Sequence, residues 1–200
     1  MPKVNIVGTD ALVRKMFIQH GWQISDLHDA DLVQFTCGVD VDPALYGEEK
    51  HATTYSNPKR DSIESHIYHS LKDTGVKMAG ICRGGQLLNV LKGGRLWQNV
   101  DEHPVVGSHK AYYEDQEVVV SSDHHQMIRP TEEATILVTA SISTFRESAT
   151  EVNTDADFVD IEAVYYPDTL CCQFRPEVFW HDEPCNRLYF DLIDKYLNLR

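Results

Sequence analysis

Apolar residues in the first half of the chain follow two alternating spacings. Residues 4–7 form a short apolar run interrupted only by Asn5, whereas the apolar positions between 11 and 17 recur at helical intervals behind a capping Asp10. Further strand and helix candidates alternate in the same way, at residues 32–36, 61–72, 76–81 and 84–91. This alternation predicts parallel strands joined by helices, with ligands bound at the carboxyl ends of the strands.

The helix predicted over residues 61–72 carries a regular stripe of apolar side chains. Ile63, Ile67 and Leu71 recur at helical spacing, so we expect them to share one buried face, and Gly75 is a natural stop. Residues 37–55, by contrast, are rich in turn-forming residues. A long loop of this kind at the end of a buried strand is usually functional.

The second half of the chain has more strands and fewer helices. Its short apolar or β-branched runs lie at residues 118–120, 136–139, 159–164 and 170–174. In the last segment, Leu188, Leu192 and Tyr196 share a helical stripe, which predicts a helix packed on the sheet. We therefore expect residues 1–200 to form a single α/β domain, with a mainly parallel central sheet flanked by helices and additional strands in the second half.

The charge of the chain narrows the range of partners. The formal net charge of -13 disfavours nucleic acid and anionic membranes, because phosphate binding depends on clustered lysine and arginine. No apolar run approaches the roughly 20 residues of a membrane helix, and the first residues lack the pattern of a signal peptide. We expect a small polar ligand or a protein partner, and a cytoplasmic location.

The cysteines and histidines follow no disulfide or metal-site spacing. The cysteines, at positions 37, 82, 171, 172 and 185, contain no C-x-x-C pattern, and the histidines are scattered. We therefore expect free thiols in a reducing compartment, no metal site and no cofactor. Cys171 and Cys172 are adjacent in a predicted strand, where a thiol is usually buried and inert.

Cys82 differs from the other cysteines because it lies where a predicted strand becomes a helix. It is surrounded by Gly80, Gly84 and Gly85, and a tight turn that thrusts its central side chain outward tolerates only small neighbours. The first turn of the helix directs unpaired N–H groups at the sulfur, and Arg83 adds a positive charge, so both favour a thiolate. The pattern predicts a nucleophile elbow with Cys82 at its tip.

Several segments, in order along the chain, resemble one family. G-I-C-R-G-G-Q at 80–86 resembles the elbow of class I glutamine amidotransferases, most closely that of γ-glutamyl-γ-aminobutyrate hydrolases and related C26 peptidases. The other similar segments are the glycine loop at 38–48, the R-D-x-x-E segment at 60–64, the H-H-Q segment at 122–126 and Q-F-R-P-E at 173–177. The resemblance implies the flavodoxin-like fold of that family and a γ-glutamyl amide as substrate.

The resemblance also implies roles for individual residues. Cys82 would attack the amide carbonyl, and the backbone N–H groups of Gly38 and Arg83 would hold the oxyanion. Glutamine or another small γ-glutamyl compound is the implied substrate, and a synthetase that uses ammonia is an implied partner. The residues implied to lie at the substrate are Gln86, His124 and His125.

Two positions depart from the pattern of the family. The histidine that acts as general base and the glutamate that orients it would fall on Arg175 and Glu177. An arginine has no lone pair to accept a proton at neutral pH, so Arg175 cannot act as that base. Cys37 replaces the first glycine of the family's loop, which leaves Gly38 as the backbone donor.

These departures leave three functional alternatives open. In the first, another histidine, namely His181, His124 or His125, acts as the base of an amidohydrolase. In the second, the chain is a pseudoenzyme that binds a γ-glutamyl compound or a partner protein, with Arg175 paired to Glu177. In the third, Arg175 recognises a carboxylate on an altered substrate and a new base is needed.

Two unrelated classes of protein explain fewer of these sequence features. A flavodoxin-like binding module agrees with the alternating strands and helices, but it does not require Cys82, Gln86 and the glycine loop together. A cysteine protease of another α/β family shares the elbow, yet it too needs a histidine partner.

Overall fold

The structure, a computed structural model, describes residues 1–104, 107–155, 157–178 and 184–199. The helices of the described chain are α1 (Ala11–Gln19), α2 (Pro58–Leu71), α3 (Arg83–Leu91) and α4 (Pro184–Leu192), and α4 continues as a π-helical turn over Ile193–Leu197. Short 3-10 helices lie at Leu27–Asp29 and Pro43–Tyr46. No helix within these ranges combines the length and apolarity needed to cross a bilayer.

Most strands of the described chain belong to one nine-stranded sheet. The strands are, in chain order, β1 (Lys3–Val7), β2 (Gln23–Ile24), β3 (Leu32–Phe35), β4 (Lys77–Ile81), β5 (Arg95–Trp97), β6 (Asn99–Val100), β7 (Gly107–Tyr113), β8 (Gln116–Ser122), β9 (Met127–Arg129), β10 (Thr135–Ala140), β11 (Arg146–Glu147), β12 (Val152–Asn153), β13 (Asp160–Tyr166) and β14 (Thr169–Cys172). Small separate sheets pair β12, β11 and β6, and β5 with β9.

The order of the large sheet is β2-β1-β3-β4-β14-β13-β10-β7-β8. Its neighbouring strands from β2 to β14 are all parallel. The carboxyl ends of β3, β4 and β14 therefore lie on the same side of the sheet. From β14 onward the pairs are antiparallel. The predicted α/β fold is confirmed, and the antiparallel strands are the additional strands expected in the second half.

Helices cover both faces of the sheet. On one face, Phe17 of α1 and Leu188 of α4 pack in the same apolar cluster as Leu32 of β3. On the other face, Leu88 of α3 packs in a cluster with Val33 of β3. Consecutive residues of β3 therefore enter opposite layers of the core, as the two-residue repeat of a strand buried on both sides requires.

Helix α2 differs from its sequence prediction in its start and in its buried face. It begins at Pro58, and Asn57 caps it by accepting the Arg60 N–H at 3.2 Å. The predicted burial of Ile63 is wrong, because this side chain is 54% exposed. Asp61 and Glu64 are buried instead, since they pair with a buried arginine of α3.

Candidate functional site

Cys82 lies between β4 and α3 in a strained backbone conformation. Its φ of 49° and ψ of -120° fall outside the regions that side chains other than glycine usually occupy. The turn is held from both sides, because the Cys82 N–H donates to the Cys172 carbonyl at 2.9 Å and the Cys82 carbonyl accepts the Gln86 N–H at 3.0 Å. This geometry matches the elbow expected from the sequence.

The glycines around Cys82 are required by backbone packing. A Cβ atom at Gly80 would lie 2.4 Å from the Gly84 carbonyl, and one at Gly84 would lie 2.4 Å from the Phe35 carbonyl oxygen. A Cβ at Gly85 would lie 2.4 Å from the Cys172 carbonyl oxygen. Helix α3 can approach β3, β4 and β14 this closely only because these positions lack side chains.

The Arg83 side chain serves the elbow as a buried anchor. Its guanidinium forms ion pairs with Asp61 and Glu64 of α2, and all three side chains are almost completely buried. The sequence predicts that the positive charge of Arg83 favours a Cys82 thiolate, but in the structure this charge is balanced by two carboxylates. The Arg83 side chain joins α2 to the first residue of α3, and its backbone N–H is the group assigned to the oxyanion by the family resemblance.

The same face of α2 fixes the glycine loop. Asp61 accepts the Asp42 N–H at 3.0 Å, and Arg60 donates to the Thr36 carbonyl at 3.3 Å. A Cβ atom at Gly38 would lie 1.8 Å from Nη1 of Arg60, so a side chain at this position would displace the Arg60 guanidinium from the loop. The R-D-x-x-E segment thus connects the loop and the elbow, a role that its sequence did not reveal.

Arg175 is held by two carboxylates beside the elbow. Its Nε donates to Glu177 at 2.9 Å, and its Nη1 donates to Asp123 at 2.8 Å. Burial opposes the charge, but the hydrogen bond to Glu177 and the negative charge of Glu177 hold the pKa of Arg175 above the ordinary value for arginine. Arg175 is therefore a permanent cation here. Sequence reasoning missed Asp123 as a partner, although it lies inside the H-H-Q segment.

Cys37 brings a second thiol to the site. Its Sγ donates to Oε1 of Glu177 at 3.3 Å, and the Cys82 side chain is another of its hydrogen-bond partners. That contact, burial and the charge of Glu177 raise the pKa of the Cys37 thiol well above its usual range, so it stays protonated. Burial also raises the pKa of Glu177, against the effect of Arg175.

Two of the histidines proposed as substitute bases, His124 and His125, have polar contacts to groups other than Cys82. His124 is buried, its Nδ1 lies 3.0 Å from the Gln126 carbonyl, and burial lowers the pKa of His124 to about 3. Nε2 of His125 lies 3.0 Å from Asp40, and this contact raises the pKa of His125. His181 lies outside the described residues. Among those described, the groups that interact with the Cys82 side chain include Cys37 and Arg175.

Gln86, which the family resemblance implies to lie at the substrate, is buried and bonded to the H-H-Q segment. Its Nε2 donates to the Gln126 carbonyl at 3.0 Å, and Nε2 of Gln126 donates to Oγ1 of Thr54 at 3.2 Å. Thr54 in turn donates to Gln98 at 3.0 Å, which ties the long loop to the body of the domain. The elbow, the loop and the H-H-Q segment therefore form one connected polar layer.

A cleft of about 780 Å³ opens next to this layer, at the carboxyl ends of β1 and β3. Thr36, Cys37 and Arg60 line one side of it. Cys37 lines this cleft, whereas Cys82 is not among its lining residues.

Comparison with known proteins places the chain in a family. The model of the Peptidase C26 family matches residues 22–177. The glutamine amidotransferase-like protein YvdE of Lactococcus lactis is 27% identical over 185 residues, which cover 81% of this chain and 72% of that protein. A shorter match, 42% identical over 77 residues, covers 38% of this chain and only 25% of a Mycobacterium tuberculosis protein named as a glutamine amidotransferase.

Solved structures share the fold. A Thermoplasma acidophilum protein named as part of a GMP synthase aligns with a TM-score of 0.64 at 17% identity, covering 100% of this chain and 94% of that chain. A glutamine amidotransferase from Thermotoga maritima aligns with a TM-score of 0.62 at 14% identity, covering 97% of this chain and 84% of that one. Since the family match also spans most of the sequence, the chain belongs to the Peptidase C26 family, within the class I glutamine amidotransferase-like proteins.

Proposed function

We propose that the chain binds glutamine or a related γ-glutamyl amide at the elbow, with Cys82 as the nucleophile, and hydrolyses it slowly. The observation that carries this proposal is the strained conformation of Cys82 at the start of α3, with φ at 49°. Such strain is kept where a side chain must be presented to a ligand. The alignment of YvdE and of the family with this region supports the same ligand class.

In the proposed reaction, the Cys82 sulfur attacks the γ-carbonyl carbon and forms a thioester as the C–N bond breaks. The thiol proton leaves with the amine, and water then cleaves the thioester to release the γ-carboxylate and regenerate the thiol. The backbone N–H groups of Gly38 and Arg83 stabilise the oxyanion in both steps. Gln86 contacts the glutamyl group.

Turnover is slow in this proposal because Arg175 stands at the position of the base. A positioned general base contributes about 10²- to 10⁴-fold to the rate, and a guanidinium paired with Glu177 and Asp123 supplies no lone pair for this purpose. Ligand binding and reaction with an activated electrophile do not need that base, because they depend on the elbow and the oxyanion donors.

Covalent labelling tests the binding half of the proposal. A diazo-ketone analogue of glutamine should add one label to the chain, located at Cys82 by peptide mass spectrometry, and excess glutamine should slow the reaction. Cys82→Ser and Cys37→Ser are the matched variants, and only the first should abolish labelling. Absence of label on Cys82, or labelling that glutamine does not slow, would contradict the proposal.

Restoring a histidine tests the catalytic half. Arg175→His should raise ammonia release from glutamine by at least about 10-fold, within the roughly 10⁴-fold range of general-base catalysis. Arg175→Gln is the control, because it removes the same charge without adding a base. Equal rates for the two variants would show that the missing base does not limit turnover.

A second candidate is a binding domain without turnover. The double pairing of Arg175 with Glu177 and Asp123 favours it, because this arrangement holds the segment together without a proton shuttle. This function predicts labelling at Cys82 but no ammonia release above the Cys82→Ser background. Its ligand would then act as a signal, or would bind together with a partner protein.

We infer that any partner would be a synthetase that receives ammonia. Glutamine amidotransferase domains supply ammonia, and one structure that shares this fold is that of PurLQS from Thermotoga maritima, which aligns with a TM-score of 0.64. Co-purification that depends on Cys82 labelling by the glutamine analogue would test whether a partner senses the acylated elbow.

A further inference from the structure

A buried cluster of histidines and a glutamate lies in the antiparallel half of the sheet, separate from the Cys82 elbow. His109 is on β7, Glu162 is on β13, and His124 lies between β8 and β9. His103 comes from the segment that follows β6. His103 and Glu162 are completely buried, and the side chains of His109 and His124 are 10% and 2% exposed. The steps of the proposed reaction do not use this cluster, and its link to the site is His124, which the family resemblance implies to lie near the substrate.

The nitrogen atoms of the cluster converge on one carboxylate oxygen. Oε1 of Glu162 lies 2.9 Å from Nε2 of His109, 3.3 Å from Nδ1 of His103 and 3.9 Å from Nε2 of His124. Donor atoms of His103, His109 and Glu162 all lie within 4.8 Å of one another. Ligands bound about 2.0–2.1 Å from a tetrahedral zinc ion are roughly 3.3 Å apart, so these separations suit a shared cation.

The orientation of two rings also suits metal binding. The Nδ1–H of His124 faces the Gln126 carbonyl at 3.0 Å, which leaves the Nε2 lone pair directed at Glu162. Nε2 of His103 lies 3.2 Å from Asp160, so its Nδ1 is the atom that faces the cluster. A histidine that binds a metal through one nitrogen usually has the other held by a carbonyl or a carboxylate.

Several polar atoms of the cluster have no hydrogen bond to any described residue. They are Nδ1 and Nε2 of His103, Nδ1 of His109, Nε2 of His124 and Oε2 of Glu162. A buried polar atom without a partner is costly, and most such atoms in proteins are satisfied. A cation between these groups would accept the lone pairs of the two nitrogens that face Glu162, Nδ1 of His103 and Nε2 of His124.

The sheet positions Glu162 for this role. The pairing of β10 with β13 shifts register between the Thr139–Ile161 and Val138–Ala163 pairs, so Glu162 falls at a bulge. A β-bulge redirects the side chain of the extra residue. A backbone hydrogen bond also fixes the position of Glu162, because the Gln173 N–H donates to the Glu162 carbonyl at 2.7 Å.

We propose that His103, His109, His124 and Glu162 bind one divalent transition metal, with zinc as the expected ion. Three imidazole nitrogens and one carboxylate oxygen are ligands that zinc accepts in a tetrahedral set. The four ligands leave no position open for water, so the site is structural. It joins four segments of the second half and fixes the residue that precedes His125. The prediction of no metal site relied on spacing along the chain, which cannot detect ligands brought together by the sheet.

Metal content and cobalt spectroscopy test the site directly. Untagged full-length protein, stripped with a chelator and dialysed, should take up one equivalent of Zn²⁺ by mass spectrometry under native conditions. Co²⁺ should give the intense visible bands of tetrahedral coordination, and Zn²⁺ should displace it. Weak octahedral bands, or no stoichiometric uptake by the wild type, would overturn the proposal without any variant.

Substitution locates the ion. His109→Ala and Glu162→Gln should weaken Zn²⁺ binding by roughly 100-fold or more, because even outer-shell substitutions cost about 10- to 100-fold. His66→Ala on the exposed side of α2 is the control and should bind Zn²⁺ like the wild type. Unchanged affinity in both ligand variants would place the metal elsewhere and overturn the proposal. Cys82→Ser should bind zinc normally, which separates this test from that of the proposed function.

Discussion

The two halves of the sheet build their polar sites in different ways. In the parallel half, Cys82 and Arg83 lie at the end of one strand, and Arg83 pairs with carboxylates on the neighbouring helix. In the antiparallel half, the histidine cluster takes its members from four separate segments. A site at the ends of parallel strands keeps a local sequence signature, whereas a site inside antiparallel pairing depends on register.

The largest loss of stability is expected when the buried Arg83 anchor of the parallel half is removed. Arg83→Met should lower the free energy of unfolding by about 3–5 kcal/mol, because it removes the buried cation from two carboxylates at once: Asp61 keeps the Asp42 N–H, and Glu64 keeps Arg60. Urea unfolding followed by circular dichroism measures the loss. Adding Asp61→Asn and Glu64→Gln to the same variant should recover part of it, and a loss below about 1 kcal/mol would show that the anchor is dispensable.

The next prediction compares the loss of stability when a glycine is replaced in each half of the sheet. Gly84→Ala should destabilise the fold by about 3 kcal/mol, because its Cβ would lie 2.4 Å from the Phe35 carbonyl oxygen and the backbone must shift. Gly107→Ala at the start of β7 is the matched control, since no atom of the described residues beyond its chain neighbours lies within 4 Å of its Cβ position. Similar unfolding midpoints for the two variants would mean that the close packing of α3 is not limiting.

A smaller loss is expected for the buried arginine of the antiparallel half. Arg146 pairs with one carboxylate, that of Asp160, whereas Arg83 pairs with two, and Asp160 also accepts the N–H groups of Ile142 and Ser143 at 2.9 Å each. Arg146→Met should therefore cost about 2 kcal/mol, less than Arg83→Met. Measuring both variants by the same urea titration tests the comparison, which fails if Arg146→Met is the more damaging change.

The smallest effect concerns the outer face of α2. Ile63→Ala should change the free energy of unfolding by less than about 0.5 kcal/mol, because this side chain is 54% exposed. Leu71→Ala, from the same apolar stripe, should cost about 2–4 kcal/mol because Leu71 is only 9% exposed. Equal losses of stability in the two variants would mean that Ile63 is buried with Leu71, as the sequence predicts.

The parallel half was predictable from the sequence because its signals are local. The run at 4–7 is part of β1, Asp10 caps α1 by accepting the Leu12 N–H at 3.0 Å, and the glycines around Cys82 mark the elbow. The buried face of α2 was not predictable in this way. Hydrophobic periodicity cannot indicate that Asp61 is buried, since the cause is an arginine on another helix.

The antiparallel half gave weaker signals for a related reason. The runs at 118–120 and 136–139 fall within β8 and β10, but β7 mixes histidine, lysine and tyrosine and has no apolar run. A strand with one exposed face and an edge partner can carry polar residues without losing its pairing. The convergence of His109 with Glu162 could not be read from the sequence, because it depends on the pairing of β7, β10 and β13.

The backbone conformation at Cys82 has one more consequence. Contacts of the neighbouring glycines with Phe35 and Cys172 set the turn, so the direction of the side chain does not depend on its chemistry. In the elbow, the backbone sets the orientation of the side chain at position 82, whereas the side-chain atom itself sets the reactivity. Protein engineers could therefore replace the atom that it carries, for example with a hydroxyl or a selenol, and keep the presentation while changing the reaction.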